Sequence, residues 1–271
     1  MKFSRRHIVA RLARVWGTLR DGAATEHGAA PGRAGDLLAA LSDGDVFDQF
    51  ESLGDGCEFA AVQQLAGVDR LGLFKWAGVD LAALPGLIDD DLAGVDDPAR
   101  IVLRLEDRPT GRPEYMIDHY RMGCTMHAAP SVADLDIAEA TAREARRLTI
   151  MKRKFQADMR AGRRIYLYAS LAPRPIGQIE ALFEALCRRG PNRLLFVRQA
   201  DATLAAGEVR LRRPGLAEGA IDALASYEAG TTIRTAMWPQ LMRAAHALLT
   251  REPMPGPAPE TALETALETG A

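Results

Sequence analysis

Arg163 to Arg198 reads RRIYLYASLAPRPIGQIEALFEALCRRGPNRLLFVR, and its reading decides the fold. Ile165-Tyr166-Leu167-Tyr168 is a short run of β-branched, aromatic and aliphatic residues, which predicts a strand through Ala169. Ile176 to Arg189 places its apolar residues at helical spacing and is closed by Gly190, so it predicts an amphipathic helix. Arg193 to Arg198 predicts a second strand. Strand, helix, strand implies a parallel pair joined by a crossover, and therefore an α/β class with a mixed central sheet and flanking helices. An open sheet of that kind binds ligands beyond the carboxyl ends of its strands, here around Ser170 and from Gln199 to Asp201. No glycine-rich phosphate fingerprint follows either strand.

Working outward, the stretch Phe47 to Gly78, FDQFESLGDGCEFAAVQQLAGVDRLGLFKWAG, holds a reactive side chain in a defined backbone setting. Ser52-Leu53-Gly54-Asp55-Gly56 predicts a tight turn followed by a helix. Asp55 is expected as its N-cap, with Glu58 reaching back in a capping box, and Gly67 ends it. On that register Cys57 is the second helical residue. A thiol facing unpaired amides at the positive end of a helix has its pKa lowered, while Asp55 and Glu58 act against this. The alternative is a small buried apolar cysteine, a common role for that residue.

The segments SLGDGCEF and LGLFKWAG resemble the opening of a poorly characterised bacterial family described as papain-like cysteine peptidases. Its members carry Ser-Leu-Gly-x-x-Cys and then a Phe/Trp block. The resemblance extends weakly to about Trp238 and implies a papain-like or three-layer α/β domain with Cys57 as nucleophile. A histidine from a later strand would be the base, and the resemblance loosely puts one at His127, which falls at a predicted strand end. His119, in mid-strand beside Asp118, is the competing choice and is expected as a structural histidine near the binding group. Asp134, Asp136 and Asp201 are carboxylates that could orient the imidazole, none distinguished from the others, with Asp136 taken as the third member. The only asparagine, Asn192, sits in a predicted turn, a departure from the papain pattern. Ser52, Gly54, Asp55, Gly56, Trp76 and His119 form the expected binding group.

The chain has 271 residues, 48% of them apolar, enough for one main domain, expected over 36–251. With 34 basic and 36 acidic residues, it lacks the excess positive charge of a general nucleic-acid binder. Cys57, Cys124 and Cys187 are widely spaced and odd in number, which suits a reducing, cytoplasmic setting and supplies no zinc motif. No cofactor or metal is expected, and Asp89-Asp90-Asp91 reads as a solvated face. Met1 to Arg20 is a basic amphipathic helix able to contact a membrane surface or a protein, followed by a linker to residue 35. Residues 252–271 read as a disordered tail.

Further along, Asp80 to Leu92 predicts a helix, Ile101 to Leu105 a strand and Glu114 to His127 its return, with a bend at Gly123. A long charged helix is expected from Val132 to Ala161, a strand at Val209 to Leu211, a short helix or loop from Gly215 to Ala225 and a closing helix from Ala236 to Leu249. Two functions fit: a thiol hydrolase or acyl transferase acting on a small-molecule or peptide carbonyl, or a non-catalytic module binding an anionic or sugar-phosphate group at the 52–57 turn.

Overall fold

The computed structural model describes residues 44–106, 114–128, 136–224, 233 and 235–251, all within the compact unit Asp36–Ala271. The expected N-terminal helix and linker, the C-terminal tail and Asp134 lie outside the described residues. The elements in chain order are α1 (Gly44–Phe47), β1 (Phe50–Ser52), α2 (Glu58–Leu65), β2 (Ala77–Val79), α3 (Leu84–Asp89), a 3-10 turn (Pro98–Arg100), β3 (Ile101–Glu106), β4 (Glu114–His119), β5 (Cys124–His127), α4 (Ile137–Ala161), β6 (Ile165–Ser170), α5 (Ile176–Arg189), β7 (Arg193–Gln199), β8 (Val209–Arg213), β9 (Leu216–Ile221) and α6 (Trp238–Arg251).

The larger sheet has the order β1-β6-β7-β9-β8. β1, β6, β7 and β9 run parallel and β8 is an antiparallel edge. Successive strand residues point to opposite faces, and the burial follows that period. Tyr166, Tyr168, Leu194 and Phe196 join one apolar cluster with Leu148, Met151 and Phe155 of α4 and Ile179, Leu182 and Leu186 of α5. Their neighbours Ile165, Leu167, Leu195 and Val197 join a second cluster with Phe59 and Val62 of α2 and Trp238, Leu241 and Leu249 of α6. The domain is therefore a helix, sheet, helix arrangement, the three-layer α/β class expected. Fully burying one large apolar side chain stabilises by about 1.5–3 kcal/mol against at most about 1 for an exposed ion pair, so these two clusters hold the layers together.

A smaller antiparallel sheet, in the order β2-β5-β4-β3, adds its inner face to the first cluster through Ala77, Val79, Ile117, Cys124 and Met126. Gly190, which closes α5, has functional room for hydrogen only: a Cβ there would lie 2.2 Å from the Met159 carbonyl oxygen of α4.

Several expectations need correction. The segment from Glu114 to His127 is two strands, not one: the chain reverses at Tyr120 to Gly123, with Gly123 at φ +54°. The helix expected over Asp80 to Leu92 contracts to α3 because the backbone turns left-handed at Asp91 and Leu92. Gly215 to Ala225 contains neither short helix nor loop alone but β9, buried along its whole length between β7 and β8. β2 had no signal of its own, since Ala-Gly-Val takes strand form only by pairing with β5.

Candidate active site

The turn after β1 carries three consecutive residues at positive φ: Gly54 at +99°, Asp55 at +66° and Gly56 at +152°. Two glycines bear this without steric penalty, and aspartate is among the few other residues that tolerate it. Leu53 extends the ladder, donating its N–H to the Leu167 carbonyl (2.8 Å), before Gly54 donates to Ser52 Oγ (3.3 Å). Gly54 is also required by space, because a Cβ would lie 2.7 Å from Val79 Cγ2. The strand, the strained turn and α2 together put Cys57 at the carboxyl end of a parallel strand, where open α/β sheets place their sites.

The expected capping register shifts by two residues. Cys57, not Asp55, is the N-cap of α2, and the first intrahelical bond runs from Ala61 N–H to the Cys57 carbonyl (3.0 Å). The left-handed backbone at Asp55 turns its carboxylate away from the helix and towards β6. There Oδ2 accepts from Ser170 Oγ (2.6 Å) and Arg174 Nη2 (2.9 Å), while Arg174 Nε donates to Ser170 Oγ (2.8 Å). Glu58 is buried and its Oε1 accepts from the Trp238 indole (3.2 Å).

The turn lies along the outer edge of β2, with Gly54 against Val79 and the Gly56 N–H donated to the Ala77 carbonyl (3.4 Å). The other edge of β2 belongs to β5, where Ala77 pairs with Met126 and the His127 N–H donates to the Trp76 carbonyl (3.1 Å). Trp76, the residue before β2, thus has His127 on the β5 side. The Trp76 and His127 rings meet edge to face with centroids 6.4 Å apart, and the Lys75 ammonium stands 5.9 Å from the indole centroid. Cys57, Trp76 and His127 are all partly exposed. A narrow cleft beside the turn is lined by Gly54, Asp55, Gly56, Phe59, Leu171 and Trp238.

Two residues expected at the site are elsewhere. His119, the last residue of β4, is buried, its Nε2 donating to the Val95 carbonyl (2.8 Å) and its Nδ1 accepting from the Met122 N–H (3.2 Å). Burial lowers its pKa, so it is a neutral ring that closes the β4–β5 turn. Asp136 is the exposed N-cap of α4, its Oδ1 accepting from the Glu139 N–H (2.8 Å). Asp201 accepts from Thr203 and Leu204 and pairs with Arg198, and hydrogen bonds from Thr203 hold its pKa down at about 2. Asn192 is buried and donates to the Leu186 carbonyl (2.6 Å). Ser170 and Arg174 were not assigned roles from sequence; the only signal was the strand end at Ser170.

Cys124 is buried, whereas Cys187, like Cys57, is half-buried. Burial pushes Cys124 up to about 12 and Cys187 up to about 11. Among the described residues no group of three His, Cys, Asp or Glu side chains could hold a metal ion, and no helix is long and apolar enough to cross a membrane. Asp89 pairs with Arg188 and Asp90 with Arg121.

Fold and turn together define a three-layer α/β protein with a cysteine at a helix start beyond a parallel strand. No family model, curated protein or solved structure matches the chain.

Proposed function

We propose that the protein is a thiol hydrolase or acyl transferase of the papain-like kind, with Cys57 as nucleophile and His127 as base. The observation that carries this reading is the setting of Cys57: a partly exposed N-cap cysteine, preceded by three positive-φ residues, at the end of a parallel strand. The first-turn amides and the helix dipole favour the thiolate. The β2 register, with the turn on one edge and β5 on the other, supports His127 as its partner. The imidazole takes the thiol proton, the sulfur bonds to a substrate carbonyl carbon, and the carbonyl π pair moves to oxygen, where the amides at the start of α2 can stabilise it. Collapse expels the leaving group with the proton from His127, and water or an acceptor nucleophile then cleaves the thioester. The substrate class is a peptide or small-molecule amide or ester. No disulfide joins Cys57, Cys124 and Cys187, which suits a reducing compartment, so cytoplasmic location is part of the proposal.

The test is the pH profile of iodoacetamide alkylation at Cys57 in the folded protein. The rate should reach half its plateau well below the free-thiol value of about 8.5, and His127→Ala should return it there. A wild-type midpoint at or above about 8.5 overturns the proposal.

A further inference from the structure

We infer that Ser170 and Arg174 are positioning residues for Cys57, holding Asp55 in its left-handed turn and cancelling its charge beside the nucleophile. The inference rests on the reading of Cys57 as nucleophile and deepens it. A carboxylate two residues before a nucleophilic thiol has the wrong sign, since a nearby anion disfavours the thiolate. The structure pairs that carboxylate with a cation from a different part of the chain: Asp55 Oδ2 takes hydrogen bonds from both Ser170 and Arg174, 115 and 119 residues away. The three groups close a triangle, because Arg174 Nε also donates to Ser170 Oγ. That arrangement fixes the direction of the serine hydroxyl, which accepts from arginine and so donates to aspartate. Both side chains of the ion pair are about a quarter exposed, at 25% each, so the pair is shielded enough to hold its geometry.

The charged and titratable groups around the turn are Glu58 on α2, Tyr168 on β6, Asp80 after β2, Lys75 before it, His127 on β5 and Arg174. Glu58 points to Trp238. Tyr168 is a buried phenol whose pKa is raised by burial, and it stays neutral at physiological pH. Arg174 therefore faces Asp55 as its direct cationic partner, and the pair reduces that carboxylate's opposition to the amides of α2 at the sulfur.

The experiment uses the full chain and compares Arg174→Ala, Arg174→Lys, Ser170→Ala and Asp55→Asn, each checked for folding by circular dichroism. Two quantities are read: the pH midpoint of Cys57 alkylation, and amide hydrogen exchange of residues 54–58. In Arg174→Ala the midpoint should rise by about one unit, a tenfold loss of rate at neutral pH, because Asp55 is left uncompensated. Asp55→Asn should move it the opposite way, and Arg174→Lys should restore part of the loss. A merely structural role would shift both variants in the same direction. Exchange at 54–58 should rise in Arg174→Ala and Ser170→Ala. Unchanged exchange in both variants, or midpoint shifts of the same sign in Arg174→Ala and Asp55→Asn, overturns the inference. If wild-type Cys57 has an ordinary midpoint, the nucleophile reading fails and with it the catalytic role of the clamp, whereas a low wild-type midpoint with unchanged exchange removes the clamp alone.

Discussion

Glu58 and Trp238 are 180 residues apart in sequence and joined by a 3.2 Å hydrogen bond from the indole N–H to the carboxylate. Both residues are buried, so this contact ties α6 to the start of α2 and keeps the Glu58 carboxylate directed into the layer behind the turn. Trp238 also packs on Phe59 with ring centroids 5.3 Å apart. Trp238→Phe keeps most of the ring contact and deletes the donor. It should cost roughly 1–3 kcal/mol, the desolvation penalty of a buried acceptor losing a partner, read as a lower urea midpoint with unchanged m-value. Glu58→Gln should cost less, because the amide oxygen still accepts from the indole.

Gly54→Ala should be damaging on two grounds, the positive φ of +99° and the 2.7 Å approach to Val79 Cγ2. The backbone cost alone is about 1–2 kcal/mol. Adding Val79→Ala should recover the part due to Cγ2 and leave the backbone cost and the 3.1 Å approaches to the Ala77 carbonyl oxygen and the residue 79 Cβ, read by thermal denaturation of the single and double variants.

The two histidines should divide cleanly. His119→Ala removes a ring bonded at both nitrogens and is expected to lower stability by roughly 1–3 kcal/mol while leaving the Cys57 alkylation midpoint in place. His127→Ala should do the reverse, moving the midpoint with little change in stability. Equal effects of both variants on reactivity would remove the distinction.

Cys124, buried, and Cys187, half-buried, should resist alkylation until the pH approaches about 12 and about 11, where their thiols ionise in the folded state. The linkage has a definite sign. A thiol whose folded pKa is raised contributes stability that is fully present below its unfolded value, near 9, and is lost as pH rises through the folded value. Stability measured by urea should therefore fall between about pH 9 and 12, and Cys124→Ser should flatten that limb.

Glu218 of β9 accepts from Arg198, Arg210 and Arg212 and is itself buried, and hydrogen bonds from Arg198 and Arg210 help draw its pKa down despite burial. Its contribution is present above the ordinary carboxylate pKa and is lost as pH falls through the lower folded value. Glu218→Ala is expected to cost roughly 1–3 kcal/mol at pH 7, less than a fully enclosed pair because Arg210 and Arg212 reach solvent. A cost that is the same at pH 7 and pH 2 would contradict this.

How much of this was legible depended on where the stabilising contacts lie. β6, α5 and β7 were readable because each carries its own period: apolar runs for strands buried on both faces, and a 3.6-residue stripe for the helix. β9 was not, because Leu-Ala-Glu-Gly-Ala-Ile has little β propensity and takes strand form only from β7 and β8 on either side. The reversal at Tyr120 to Gly123 shows in the sequence only as a bend at Gly123, because the residues on both sides of it alternate like one strand. At the site, the turn and Cys57 were visible as Gly-Asp-Gly-Cys. Asp55 read as a helix cap because its local chemistry allows that role, and only Ser170 at the end of β6 and Arg174 in the loop after it draw it elsewhere.

By itself the amino-acid order determined the α/β class, the main helices and the position of a cysteine at a helix start, since these depend on interactions within a few residues. Tertiary structure alone decided the partner of Asp55, the neutral role of His119 and the approach of the turn to β2. Those outcomes are set by hydrogen bonds and burial between segments many residues apart, whose free energies exceed the local preferences they override.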